Sequence, residues 1–146
     1  MRRPPRILDT LTYIRELREE RARERFGLAV RALQVALEES EALQRTQREY
    51  FQSLAGRRLD GGSLRLWGEG LEATFLERHR AEERLRAREK EVETLRAELA
   101  RAHRERRAAE TLRERRWRTW LAEEEKRFLR EMDDLTLMRR ARLGRP

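Results

Sequence analysis

Leu54-Ala-Gly-Arg-Arg-Leu-Asp-Gly-Gly-Ser-Leu64 is the stretch that decides the fold. Gly56 supplies a helix stop, because glycine takes the left-handed conformation that closes a helix without a Cβ penalty. Arg57 to Ser63 then reads as a tight connection, with Ser63 a candidate N-cap for the next helix. On either side lie long proline-free runs. Upstream, Ile7 to Leu54 holds a single glycine, Gly27. Downstream, Leu64 to Leu143 holds only Gly68 and Gly70, which weaken its first turns. Pro4 and Pro5 mark the start of the first run, and Gly144 and Pro146 the end of the second.

Both runs carry helical periodicity. The first places Ala22, Phe26, Ala29, Leu33, Ala36, Ser40, Leu43, Gln47, Tyr50 and Leu54 at alternating steps of four and three. The second places Leu64, Trp67, Leu71, Thr74, Arg78, Ala81, Leu85, Arg88, Val92, Leu95, Leu99 and Ala102 on the same rule. This is the spacing of heptad a and d positions. A second phase follows at Trp117, Leu121, Glu124, Phe128, Glu131, Leu135 and Met138. The shift between Ala109 and Trp117 implies a local change of supercoil. Ile7, Leu11 and Ile14 are out of step with Ala22 onward. A stripe this narrow needs one partner helix, and a short connection makes the helices antiparallel neighbours. The expected fold is therefore all-α. It is an antiparallel two-helix coiled-coil hairpin with a longer C-terminal helix, forming a single domain over 1–146. Helix 1 covers about 6–55, the turn about 56–63 and helix 2 about 64–143.

Composition agrees. Of 146 residues 44% are charged and 6% aromatic, which is too little apolar content for a compact globule. The regular recurrence of leucine and alanine argues against disorder. Spaced pairs such as Glu41–Arg45, Glu82–Arg86, Glu114–Arg118 and Glu123–Arg127 belong on solvated faces. Each contributes roughly 0.2–0.5 kcal/mol. There is no cysteine, so no disulfide or thiolate metal site exists. Glu16, Glu19 and Glu20 arrive too early for a signal peptide, and no window has the roughly 20 apolar residues of a membrane span. A cytoplasmic chain is expected.

The unequal helix lengths matter. Helix 2, at about 80 residues, would be roughly 120 Å long. Paired from the turn, helix 1 runs out opposite about residue 113. Beyond that point helix 2 carries Trp117, Trp120, Leu121, Phe128, Met132, Leu135 and Met138, an apolar stripe suited to a partner. Alternatively, Ile7, Leu8, Leu11 and Ile14 cover part of it through a bend.

Nothing in the chain assembles a catalytic site, and the reading is of a non-enzyme without cofactor, metal or small-molecule substrate. His79 and His103 are 24 residues apart on one helix, roughly 36 Å, and cannot share a metal or a proton. Glu123-Glu124-Glu125 and Asp133-Asp134 spread around the helix. Gly61-Gly62-Ser63 lacks the lysine of a phosphate loop. Arg101–Arg118 holds eight arginines against three glutamates, a possible nucleic-acid footprint within a chain of net charge +8. Those arginines encircle the helix, so an acidic protein surface is the preferred partner and nucleic acid is disfavoured.

Two places are more specific. One is Arg48-Glu-Tyr-Phe-Gln-Ser-Leu54 before the turn. The other is Glu110-Thr-Leu-Arg-Glu-Arg115, followed by Trp120, Arg130-Glu-Met-Asp-Asp-Leu135 and Arg139-Arg-Ala-Arg142. In these, and in the order of its features, the chain resembles the flagellar export protein FliJ family of the bacterial type III export apparatus. The family's E-Y-x-x-x-L and E-x-L patterns are matched. Asp133-Asp134 stands where the family often has Asp-Glu, and Thr46 where a tyrosine is expected one turn before Tyr50.

The resemblance implies a stalk-like protein that sits in a hexameric export ATPase ring and promotes its assembly. It also implies contact with the membrane export gate protein and with export chaperones, hence peripheral association with the inner face of the membrane. By the same resemblance Leu43, Tyr50, Leu71 and Phe75 form the gate-binding face. Leu43, Tyr50 and Leu71 are on the a/d stripe, which favours core for them, whereas Phe75 is off it and is the best candidate for exposure. For the ATPase ring, the expected residues are Arg2, Arg3 and Arg6 with Arg139, Arg140 and Arg142, clustered at the end remote from the turn. Trp117, Trp120, Phe128 and Leu135 join them. An injectisome coiled-coil subunit and a basic nucleic-acid-binding hairpin are the alternatives.

Overall fold

The structure, a computed structural model, describes residues 6–58 and 60–144. Two helices account for nearly all of them: α1 (Ile7–Leu54) and α2 (Gly61–Leu143). They pack against each other as an all-α helical hairpin, with no strand among the described residues. Pro4, Pro5, Leu59 and Pro146 lie outside the described residues.

The turn forms as glycine chemistry demands. Gly56 takes φ +79°, and the amides of Ala55 and Arg57 donate to Phe51 and Leu54 carbonyls at 3.2 and 3.4 Å. The start of α2 corrects the sequence reading. The helix begins at Gly61 rather than near 64, and Asp60, not Ser63, is its cap. The Ser63 amide donates to Asp60 Oδ1 at 2.7 Å, and the Leu64 amide to the Asp60 carbonyl at 2.9 Å. Ser63 therefore sits inside the first turn. Its hydrogen bonds to the Asp60 carboxyl hold that group below the ordinary carboxylate range.

The chain divides into two compact units. The turn unit is Glu20–Arg101. Its antiparallel register is visible in three cross-helix contacts: Phe26 with Arg96, Glu39 with Arg84, and Gln47 with Arg78. Every a/d residue expected on α1 from Ala22 to Leu54 is buried or half-buried. On α2 the same holds from Trp67 to Leu99, except for Arg88, which turns outward to Glu91. Leu64 is exposed as well. Small residues line the seam, with Ala29, Ala36 and Ala81 all buried. One seam position is polar on both sides: Arg78 donates to the Gln47 side-chain oxygen at 2.5 Å.

Gly70 has a packing role that its sequence position concealed. A Cβ there would run into the Tyr50 hydroxyl and lie 3.2 Å from its Cζ. The absent side chain leaves room for the Tyr50 ring, which meets Trp67 edge-on with centroids 4.7 Å apart.

Gly56→Ala forces an L-residue into left-handed φ and should destabilise the hairpin by about 1–2 kcal/mol in chemical denaturation, with little change of helix content.

Candidate functional site

The second unit comprises Met1–Glu19 with Ala102–Pro146. In it α1 keeps heptad spacing, but partly through residues of another kind. Thr12 and Glu19 are buried and Leu8, Leu11, Arg15 and Leu17 half-buried, while Ile7 and Ile14 are exposed. Polar residues thus share the register with leucines in this stretch. Thr12 is 2% exposed because its hydroxyl donates to the Leu8 carbonyl at 2.8 Å and needs no other partner.

Across the seam the contacts are ionic. Asp9 pairs with Arg113 at 2.8 Å and Arg15 with Glu105 at 2.6 Å. Glu19, only 4% exposed, accepts from Arg106 Nε and meets His103 Nδ1 at 2.9 Å. Arg106 also reaches Glu110 on its own helix at 2.6 Å. Burial by itself would raise the pKa of Glu19. The hydrogen bonds and charges of His103 and Arg106 outweigh it and hold the carboxyl below the usual range. Glu110 and Glu19 correspondingly raise Arg106. His103, isolated from His79, therefore belongs to a half-buried cluster around the buried Glu19. Complementary charge on the facing helix is the signal that would have found it.

Past Arg113, α1 ends and α2 continues unbroken to Leu143. Trp117 and Trp120 stack with centroids 5.2 Å apart. Trp117, Leu121 and Met132 are exposed, as are Phe128 (60%), Leu135 (55%) and Met138 (63%). Trp120 is half-buried. Of the α1 residues that could cover it, Ile7 and Ile14 are exposed, whereas Leu8 lies beside Trp117 at its start. A groove of about 490 Å³ lies where α1 begins, lined by Leu8, Asp9, Glu110, Arg113, Glu114, Arg116 and Trp117.

Of the expected basic cluster, Arg6 and the three arginines near the end of α2 do not share a single patch. Arg6 precedes Asp9, which faces Arg113, whereas Arg139, Arg140 and Arg142 lie roughly 40 Å further along α2 at 1.5 Å per residue. Arg2 and Arg3 lie outside the described residues. Ion pairing on α2 also differs in detail: Arg127 pairs with Glu124 at 3.1 Å rather than with Glu123.

Near the turn, Leu43, Tyr50 and Leu71 are half-buried in the seam. Phe75 is 50% exposed and does not stand alone. Phe51 of α1, 48% exposed, meets it edge-on at 6.5 Å. The sequence reading named Phe75 but missed Phe51, which is likewise off the a/d stripe.

Among the described residues no group of carboxylates and histidines could hold a metal ion, and no helix is long and apolar enough to cross a membrane.

Residues 5–145 match the family described as Flagellar FliJ protein. The chain belongs to the FliJ family. Comparison with curated proteins gave no match, and comparison with solved structures gave none. The FliJ match spans both units and covers both places that carried the resemblance. It makes the chain a coiled-coil protein related to flagellar export.

The Glu19 cluster carries a pH dependence. A depressed carboxyl pKa contributes stability above the unfolded value of 4.5, and that contribution is lost as pH falls through the folded pKa. Hydrogen exchange should show residues 8–19 losing protection at acid pH before residues 22–50 do. Glu19→Gln should flatten that difference.

Proposed function

We propose that this FliJ-family chain is the soluble stalk of the flagellar type III export apparatus. The exposed end of α2 engages the hexameric export ATPase and promotes assembly of its ring. The turn-side face contacts the membrane export gate protein, and export chaperones are a third class of partner. The chain works at the inner face of the membrane through these partners, without an active site of its own.

The observation that carries this reading is the unpaired length of α2. A hairpin that only stabilised itself would gain nothing from exposing Phe128, Leu135 and Met138 beyond the reach of α1. Exposed apolar surface of this extent is costly unless a partner covers it. In this reading Trp117, Trp120, Phe128 and Leu135 provide the apolar contact with the ATPase, and Arg139, Arg140 and Arg142 the charged contact. Arg6 supplies a separate charge at the start of α1. At the gate, Phe75 with Phe51 is the exposed anchor. Leu43, Tyr50 and Leu71 act mainly by packing beneath them.

The nucleic-acid alternative loses support from the ion pairs. Arg106 and Arg113, from the basic stretch that suggested it, are engaged with Glu19 and Asp9 of α1. Neither is free to neutralise a phosphate.

Capture of the chain by the export ATPase and by the gate's cytoplasmic domain should separate the two faces. Phe128→Ala with Leu135→Ala should weaken ATPase capture and ring assembly by about tenfold or more while sparing the gate. Phe75→Ala should do the reverse. Unchanged capture of both partners in both variants would contradict the stalk assignment.

A further inference from the structure

The exposed stripe of α2 has two carboxylates set into it. Trp117, Leu121, Phe128, Leu135 and Met138 share one face at heptad spacing, and Glu124 and Glu131 occupy the two remaining positions of that series. Glu131 is exposed. Glu124 is half-buried and is met by Arg127 of its own helix at 3.1 Å. A helix that covers the apolar positions must cover these acids too. A carboxylate taken out of water needs a cation or strong donors beside it.

The same chain shows how it meets that need. In the unit of Met1–Glu19 with Ala102–Pro146, acids of α1 take guanidinium groups from the facing helix. The buried Glu19 takes Arg106, and the exposed Asp9 beside the seam takes Arg113. Arg106 and Arg113 are one heptad apart on α2, as Glu124 and Glu131 are.

We propose that the exposed end of α2 docks an amphipathic helix of another protein, one that carries two arginines or lysines a heptad apart within its apolar stripe. This rests on the stalk reading, in which the same surface binds a partner, and it adds that partner's chemistry. A second copy of this chain fits worse. Parallel in-register pairing sets Glu124 on Glu124 and Glu131 on Glu131, while antiparallel pairing centred on Phe128 sets Glu124 on Glu131. Both put like charges together in the seam. A lipid surface would have to bury both carboxylates with the apolar face.

The test uses the full chain and two synthetic helical peptides with the same leucine heptads. They differ only in whether one heptad-spaced pair is arginine or glutamate, and affinity is read by calorimetry. The arginine peptide should bind about tenfold tighter than the glutamate peptide. The double variant Glu124→Arg with Glu131→Arg, with helix content unchanged by circular dichroism, should reverse that order.

Equal affinities, or no binding of either peptide, would overturn the proposal. So would sedimentation of the chain as a dimer that Phe128→Ala dissolves, or cosedimentation with anionic phosphatidylserine vesicles that the same variant abolishes. ATPase capture separates the two levels. Capture lost in Phe128→Ala with Leu135→Ala but kept in the charge-reversed variant would overturn this proposal alone. No capture by the unaltered chain would overturn the stalk reading and leave the peptide result to stand by itself.

Discussion

The structure depends on a seam only two residues wide in each heptad. Two helices have no third layer to share burial, so each seam position bears directly on whether they stay paired. In the turn unit that seam is mostly apolar and lined by Ala29, Ala36 and Ala81. In the unit of residues 1–19 and 102–146 Ala109, Leu8 and Leu11 share it with Thr12, Arg15, Glu19 and Arg106. These are different physical solutions on the same two helices. Apolar seam positions contribute by area and tolerate imprecision. Ionic positions contribute little net energy but punish misalignment, because a buried carboxylate left without its guanidinium is strongly unfavourable. The ionic stretch therefore acts as a register lock more than as a source of stability.

That distinction explains what could be read in the sequence. The end of α1 was legible because glycine acts locally, and Gly56 behaves as its type requires. The apolar seam from Ala22 to Leu54 was legible because small and aliphatic residues recur at a period that a single chain displays. The stretch from Leu8 to Glu19 was not, because its register is written in residues whose polarity mimics a solvated face. Only the charges of the helix facing it mark Glu19 as a seam residue. The cap of α2 shows a smaller version of the problem. Asp60 and Ser63 are both good caps, and the intervening Gly61-Gly62 reads as turn, yet the Asp60 carboxylate reaches the Ser63 amide and starts the helix earlier.

The candidate surfaces were legible in proportion to how much they depend on one helix alone. Phe128 and Leu135 were readable because the unequal helix lengths leave them beyond the start of α1. The aromatic pair of Phe51 and Phe75 needs both helices in register, and only the fold brings the two rings to 6.5 Å. Arg6 and the arginines at the end of α2 are far apart for a related reason: α1 begins opposite Arg113 and α2 continues past it. Membership of the FliJ family relates the chain to flagellar export.

The absence of cysteine allows spin labels to be placed at chosen pairs without interference. The most direct test is electron–electron distance measurement on Asp9→Cys with Arg113→Cys, and on Asp9→Cys with Arg140→Cys. A start of α1 fixed opposite Arg113 predicts a short distance for the first pair. For the second it predicts about 40 Å, the length of 27 helical residues. A short distance for the second pair would mean that the end of α2 folds back over α1, and would contradict the account of an unpaired, partner-seeking surface.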